Sequence, residues 1–206
     1  MQPASKPERP EAVVFDLGGV LVQFDERPLF ELLRPELGRA NWWEFVLHSE
    51  AFRGFETGIL STQAMAVVAV AELCRPGVGV PAFLEALGRW PSQSFPGARE
   101  CVQRVKNTGV RRALLSNTNP LHWGILAPGF ADLFDHLVLS FEIGVLKPSP
   151  LAFQCAEDRL GLRGNQLLFF DDNPHNVQAA IDRGWQAVRV AGPVDIHAAL
   201  DEADWA

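Results

Sequence analysis

The chain has 206 residues, 48% of them apolar, enough to bury a full core in one globular unit or in one unit carrying a sizeable insertion. Its formal charge is -7 and no block of Lys or Arg interrupts it, which argues against a partner made of nucleic acid or an anionic membrane. A small-molecule or protein partner fits better.

Residues 1–10 are polar and read as a disordered tail, with no apolar segment of signal-peptide length. No later stretch reaches transmembrane length, so the expected compartment is the cytoplasm. Four short apolar runs then follow: AVVF before Asp16, RALL before Ser116, LLFF before Asp171, and AVRV at 187–190. Each reads as a buried parallel strand, and HLVLS at 136–140 as a fifth. Between the later runs, LAFQCAEDRL after Pro150 and NVQAAIDRG have helical period, and Gly184 is a suitable stop for the second. Strands alternating with helices predict an α/β fold with a Rossmann-like parallel sheet. Ligands then bind at the strands' carboxyl ends, where Asp16, Ser116 and Asp171 fall.

A βα unit needs only about 30 residues, yet Asp16 and Ser116 are 100 apart. Residues 25–92 show helical patterns and no clear strand: RPLFELLRPEL, NWWEFVLHSEAF, STQAMAVVAVAELC with Ser61 as N-cap, and PAFLEALGRW. PSQSFPG at 91–97 reads as the linker returning to the sheet. The expected organisation is an α/β core of residues 11–24 and 93–206, with a helical cap of residues 25–92 inserted after the first strand. Cys74, Cys101 and Cys155 are far apart and form no CxxC pair, so neither a disulfide framework nor a zinc site is expected.

The polar residues at the strand ends point to one chemistry. Two adjacent acids in FFDDN are costly to bury unless a cation neutralises them, and Mg²⁺ takes one or two carboxylates together with substrate phosphate. Such an ion would hold a phosphoryl group against Asp16, while the Ser116 hydroxyl, the Asn117 backbone N–H and the Lys147 ammonium are donors of the right types for its oxygens. Attack by Asp16 would give an aspartyl phosphate, later hydrolysed by water. Singly, each feature has a plainer reading: Asp16 as a turn residue, Asp171-Asp172-Asn173-Pro174 as a helix cap, and 116–119 as a polar loop. Lys147 is one of only three lysines against fifteen arginines, which makes a casual surface lysine a weaker reading.

Together FDLGGV around Asp16, LLSNTN around Ser116, Lys147-Pro148 and FFDDN around Asp172 resemble the four motifs of the haloacid dehalogenase superfamily. FETGILS, LSNTNPLHW and LKPSPLAFQ are most similar to a bacterial subgroup with a helical cap that includes α-D-glucose-1-phosphate phosphatase. The resemblance implies Asp16 as nucleophile, Ser116 and Lys147 as phosphate clamp, and Mg²⁺ held by Asp16, the Gly18 carbonyl and Asp172. It leaves Asp171 as a second ligand or an outer partner. The implied substrate is a small phosphorylated metabolite, with a sugar phosphate expected, and oligomeric state is left open.

One position departs from that pattern. The superfamily's second Asp, which protonates the leaving oxygen, is replaced by Gly18. General acid help is worth about 10² to 10⁴ in rate, so its loss handicaps poor leaving groups without forbidding turnover. Asp25, His122 and His175 are candidates for a substitute by residue type. In the cap, His48, Arg53, Glu56 and Thr57 are candidate substrate contacts, and Trp42 and Trp43 candidate stacking platforms. Two other functions compete: a metal-independent 2-haloacid dehalogenase, from which Asp171-Asp172 distinguishes the chain, and a non-catalytic phosphate binder that has lost its acid. A phospho-receiver reading fails on chain order, because receivers place the acidic pair first.

Overall fold

The computed structural model describes residues 9–203 and 205; most of the expected tail, 1–8, lies outside them. Arg9 and Pro10 belong to the folded body: the Arg9 guanidinium donates to the Thr108 carbonyl at 2.9 Å and Pro10 is buried. In chain order the elements are β1 (Ala12–Phe15), β2 (Val22–Phe24), α1 (Arg27–Phe30), α2 (Arg39–His48), α3 (Glu50–Glu56), α4 (Thr62–Leu73), α5 (Val80–Gly88), β3 (Pro91–Ser94) and α6 (Ala98–Asn107). They continue with β4 (Arg111–Ser116), α7 (Pro120–Phe130), β5 (His136–Leu139), α8 (Ser140–Ile143), α9 (Pro150–Leu160), β6 (Leu167–Asp171), α10 (Pro174–Asp182), β7 (Gln186–Arg189) and α11 (Pro193–Glu202).

Five strands form one parallel sheet in the order β5-β4-β1-β6-β7, as the five apolar runs predict. The chain starts in the middle, winds outward on one side and returns to wind outward on the other. Strand direction around β1 therefore opens a crevice at the carboxyl ends, which is where such sheets bind ligands. Both faces are covered, because residues alternate sides along each strand. Val13, Phe15, Leu114 and Phe170 pack against Cys101, Val102 and Val105 of α6 and Ile196 and Leu200 of α11. Val14, Leu115 and Phe169 pack on the other side against Phe153, Ala156 and Leu160 of α9, and against Ala180 of α10. Burying each large side chain here stabilises the fold by about 1.5–3 kcal/mol, which is what makes the carboxyl edge rigid enough to carry chemistry.

The inserted helices α1–α5 have a hydrophobic cluster of their own, centred on Trp42, Phe52, Phe83 and Trp90. Three local expectations are corrected. PSQS at 91–94 is not a free linker: it is β3, paired antiparallel with β2, so that both chain crossings run side by side as a ribbon. RPLFELLRPEL forms a single helical turn before Pro35. NWWEFVLHSEAF is broken at Ser49, whose hydroxyl accepts from Ala51 N at 3.1 Å and starts a new helix. Ser61 caps α4 as expected, accepting from Ala64 N at 3.2 Å. Gly184 follows α10 with φ of 85°, a left-handed conformation that glycine adopts without strain.

Candidate active site

Asp16 follows the last residue of the central strand, at the mouth of the crevice, with 8% of its surface exposed. Lys147 reaches it from the loop ahead of α9: Nζ lies 2.7 Å from Asp16 Oδ1 and also 2.7 Å from Asp171 Oδ2. The ammonium is buried over the ring of Phe169, 5.3 Å from its centroid. Burial works to lower the lysine's pKa, but the two carboxylates outweigh it and hold the ammonium above the ordinary lysine range. For Asp16 the balance goes the other way. Burial pushes its carboxyl up to about 7, Lys147 opposes this, and Asp171 and Asp172 add to the rise.

Asp171 is fully buried and its oxygens are engaged. Oδ1 accepts from Asn173 N at 2.8 Å, and the Asn176 side-chain amide donates to both oxygens at 3.0 Å. Asp172 is more open and is pushed up by burial and by Asp171. Its Oδ2 passes 2.5 Å from the point a β-carbon on Gly19 would occupy, and Gly19 has φ of 73°, so both space and conformation require glycine there. Asp16, Asp171 and Asp172 each offer an oxygen within 4.8 Å of the others. With one ammonium among three carboxylates, two negative charges stay uncompensated when all are ionised. The donor set therefore fits a hard divalent cation.

Ser116 closes β4 beside this cluster and is 3% exposed. The Asn117 side chain has a task its sequence position does not reveal: Oδ1 accepts from Lys147 N at 2.8 Å and Nδ2 donates to Lys147 O at 3.0 Å. It fixes the main chain from which the lysine projects. Gly18 follows two residues after Asp16. A β-carbon there would meet Phe24 Cζ at 2.3 Å, so the space of the missing acid is filled by an aromatic ring that packs on Trp90, centroids 5.3 Å apart.

A hollow of about 700 Å³ links these groups to the inserted helices, with Asp16, Lys147 and Asp172 on one side and Trp43, Arg53 and Glu56 on the other. The Arg53 guanidinium has no ion pair or hydrogen bond among the described residues, with Glu56 or any other group. Glu56 is partly buried, and burial pushes its carboxyl up to about 8. Thr57 also lines the hollow, but its hydroxyl donates to Arg53 O at 2.9 Å. Trp42 is corrected: it is fully buried in the helical cluster, whereas Trp43 faces the hollow. His48 lies on the outer surface, 3.8 Å from Glu44.

All three candidates by type for the missing acid are corrected as well. Asp25 faces a different surface recess and is bound by Arg27 at 2.7 Å, which holds its carboxyl down at about 2. His175 sits on the exposed first turn of α10 and does not line the hollow. His122 is buried with both ring nitrogens used: the Asn119 amide donates to Nδ1 at 3.0 Å, so Nε2 carries the proton and donates to the Leu87 carbonyl at 2.9 Å. Burial pushes it down to about 4, and it serves as a neutral tie between α7 and α5.

Sequence reasoning did not find Asn176, the Asn117 side chain, Phe24 or Ser140. Ser140 Oγ accepts from Thr118 N at 2.9 Å and has one proton to donate to Glu56 O at 2.7 Å or Thr118 O at 2.8 Å, joining the strand-end loop to the helical insertion. Only the short spacing of Asn176 from Asp171 carried any signal.

Residues 10–184 match the haloacid dehalogenase-like hydrolase family. A phosphatase of Mycobacterium tuberculosis, MT3486, is 28% identical over 191 residues, spanning 87% of this chain and 86% of its own. Haloacetate dehalogenase H-2 of Moraxella is 32% identical over 94 residues; that match spans 45% of this chain and only 42% of the relative. Among solved structures, a HAD family enzyme of Bacteroides thetaiotaomicron, bt-2542, in complex with magnesium and inorganic phosphate superposes with a TM-score of 0.74 at 21% identity, over 87% of this chain and 93% of its own. L-2-haloacid dehalogenase of Xanthobacter autotrophicus gives 0.60 at 25% identity, over 88% and 77%. With its parallel sheet, its strand-end carboxylates and a family match over most of its length, the chain belongs to the haloacid dehalogenase-like hydrolases.

Proposed function

We propose that this hydrolase is a Mg²⁺-dependent phosphatase acting on a small phosphorylated metabolite, with a sugar phosphate as the expected class, through an aspartyl phosphate on Asp16. The observation that carries the reading is the excess of carboxylate over ammonium at the strand ends: Asp172 stands beside Asp16 and Asp171 with oxygens within 4.8 Å, where a metal-free displacement of halide has no use for it. The phosphatase relative, matched over 86% of its length, supports the same reading, as does the magnesium and phosphate bound to the bt-2542 enzyme.

Asp16 and Asp172, with the Gly18 carbonyl, would hold the ion. Asp171, its oxygens occupied by Lys147, Asn173 and Asn176, acts as the outer partner that orients Lys147. When bound, Mg²⁺ supplies charge neutralisation to the phosphoryl oxygens and keeps the neighbouring carboxylates ionised. Lys147 takes a share of the same phosphoryl charge from the other side. Ser116 and the backbone of Asn117 donate to its oxygens, and Asp16 is held in line with phosphorus. The inserted helices act as a cap: Trp43, Arg53 and Glu56 meet the organic part of the substrate and exclude water.

Phosphate release from a panel of phosphorylated metabolites, with Mg²⁺ and with EDTA, tests this directly. Metal-dependent release that disappears in Asp16→Asn is the expected result. Halide release from a 2-haloacid in EDTA, with a silent phosphate panel, would reverse the assignment.

A further inference from the structure

Breaking the P–O bond to an alkoxide-like leaving group requires a proton, and no side chain at position 18 can deliver it. Asp25 and His122 are committed elsewhere, and His175 is exposed outside the hollow. One acid in the hollow is uncommitted. Glu56 lines the large hollow with Asp16 and Lys147, and it also lines the smaller adjoining recess formed by Gly18, Phe24, Trp90 and Ser116. It therefore looks into the space between the phosphate site and the cap, on the side where the second acid of the family would stand.

Its placement is fixed from the α/β core as well as by the burial of Phe52 and Phe55 within the helical insertion. Ser140 Oγ reaches the Glu56 carbonyl at 2.7 Å, and two residues later Gly58, with φ of 72°, presses so closely on Phe141 that a β-carbon would lie 2.3 Å from that residue's carbonyl oxygen. The end of α3 is thus pinned to the start of α8, directly after β5. The carboxyl itself has no hydrogen bond or ion pair among the described residues. The charged and titratable groups sharing its surroundings are Arg53 on its own helix, His122 on α7, Asp16 after β1, Lys147, and Asp172 after β6. Desolvation dominates over all of them and leaves the group protonated at neutral pH, the state a proton donor needs.

We propose that Glu56 is the general acid of this enzyme, delivering its proton from the cap to the leaving oxygen in place of the absent side chain at position 18. The assignment rests on the phosphatase reading above. In the first step an Asp16 oxygen bonds to phosphorus, the P–O bond to the leaving group breaks with its electron pair going to that oxygen, and the Glu56 proton is transferred there. In the second, water attacks phosphorus, its proton returns to the Glu56 carboxylate, and the bond to Asp16 breaks to give inorganic phosphate.

Two aryl esters separate this role from simple substrate binding. Phenyl phosphate has a poor leaving group that needs a proton; 4-nitrophenyl phosphate has a good one that departs without it. With Mg²⁺, Glu56→Gln keeps the shape and the hydrogen-bond donor but not the proton. We expect its kcat on phenyl phosphate to fall by about 10² or more and on 4-nitrophenyl phosphate by less than about tenfold. The alkaline fall of kcat on phenyl phosphate should vanish in the same variant. Glu56→Asp should recover part of the loss, and it carries the comparison if the melting curve of Glu56→Gln shows a damaged fold. Equal losses on both esters, or none, would overturn the assignment while leaving the phosphatase reading intact. A wild type silent on both esters and on the metabolite panel would overturn that reading and this one together; a wild type active only on the panel is compared on an alkyl phosphate and an acyl phosphate, where equal losses in Glu56→Gln overturn the assignment.

Discussion

Phe24 Cζ stands 2.3 Å from the point where a β-carbon on residue 18 would be, so a side chain there and the ring in its present rotamer exclude one another. The glycine is the counterpart of the ring. Restoring an acid by Gly18→Asp alone must push Phe24 off Trp90; the ring is half-exposed and can swing away, so the cost is that of the lost ring pair, about 0.5–1.5 kcal/mol. We expect a lowered melting temperature for Gly18→Asp and a partial recovery when Phe24→Ala is added. Additive effects of the two changes in a thermal-melt cycle would contradict the interlock.

Gly19 guards the acidic cluster. Gly19→Ala forces a side chain into a left-handed backbone, which costs about 1–3 kcal/mol, and displaces Asp172 Oδ2 from 2.5 Å. The Mg²⁺ concentration giving half-maximal activity should rise about 10-fold to 100-fold, as it does when supports of a metal ligand are lost. Titrating activity against Mg²⁺ checks this; an unchanged midpoint would mean that Asp172 lies outside the metal site.

The two acids of FFDDN should behave differently. Asp171 is fully buried against Lys147 at 2.7 Å, so Asp171→Asn leaves a buried ammonium with one partner fewer and should destabilise the protein by about 3–5 kcal/mol even in EDTA. Asp172→Asn should leave the melting temperature in EDTA nearly unchanged and abolish the extra stabilisation that Mg²⁺ provides. Denaturation curves of both variants with and without metal distinguish the roles.

His122 links stability to pH. Its folded pKa, about 4, is below the ordinary 6.5 because the ring is buried and neutral. A group depressed in this way contributes stability that is complete above 6.5 and is lost as pH falls through 4. Between those limits the difference in unfolding free energy between the wild type and His122→Gln should shrink by about 3 kcal/mol. Urea denaturation at several pH values measures it, and parallel pH curves for the two proteins would rule the tie out.

The strands and the meeting of the strand-end carboxylates with Lys147 were readable because both depend on local pattern. AVVF, RALL, LLFF and HLVL are apolar runs that only a sheet covered on both faces can bury, and each delivers a polar residue at its end. The meeting of Asp16 and Asp172 then follows from the pairing of β1 with β6, while Ser116 ends the neighbouring strand β4. What escaped depends on contacts distant in sequence. The β2–β3 pairing joins Val22 to Ser94, and nothing in VQF or PSQS alone distinguishes a strand from a loop. Trp42 and Trp43 are adjacent and chemically identical, so which one is buried is set by how α2 packs. His122 looks like a proton donor by type, and only the positions of Asn119 and Leu87 make it a structural tie.

The β2–β3 ribbon has a consequence for how such enzymes diversify. Because the chain leaves and re-enters the sheet through neighbouring antiparallel strands, the two junctions stay together whatever lies between them, and lengthening the intervening stretch adds little closure entropy. The insertion is in effect a cassette on a two-strand handle. Exchanging it between homologues at residues 24 and 91 would replace the wall that faces the hollow while Asp16, Asp171 and Asp172 keep their places.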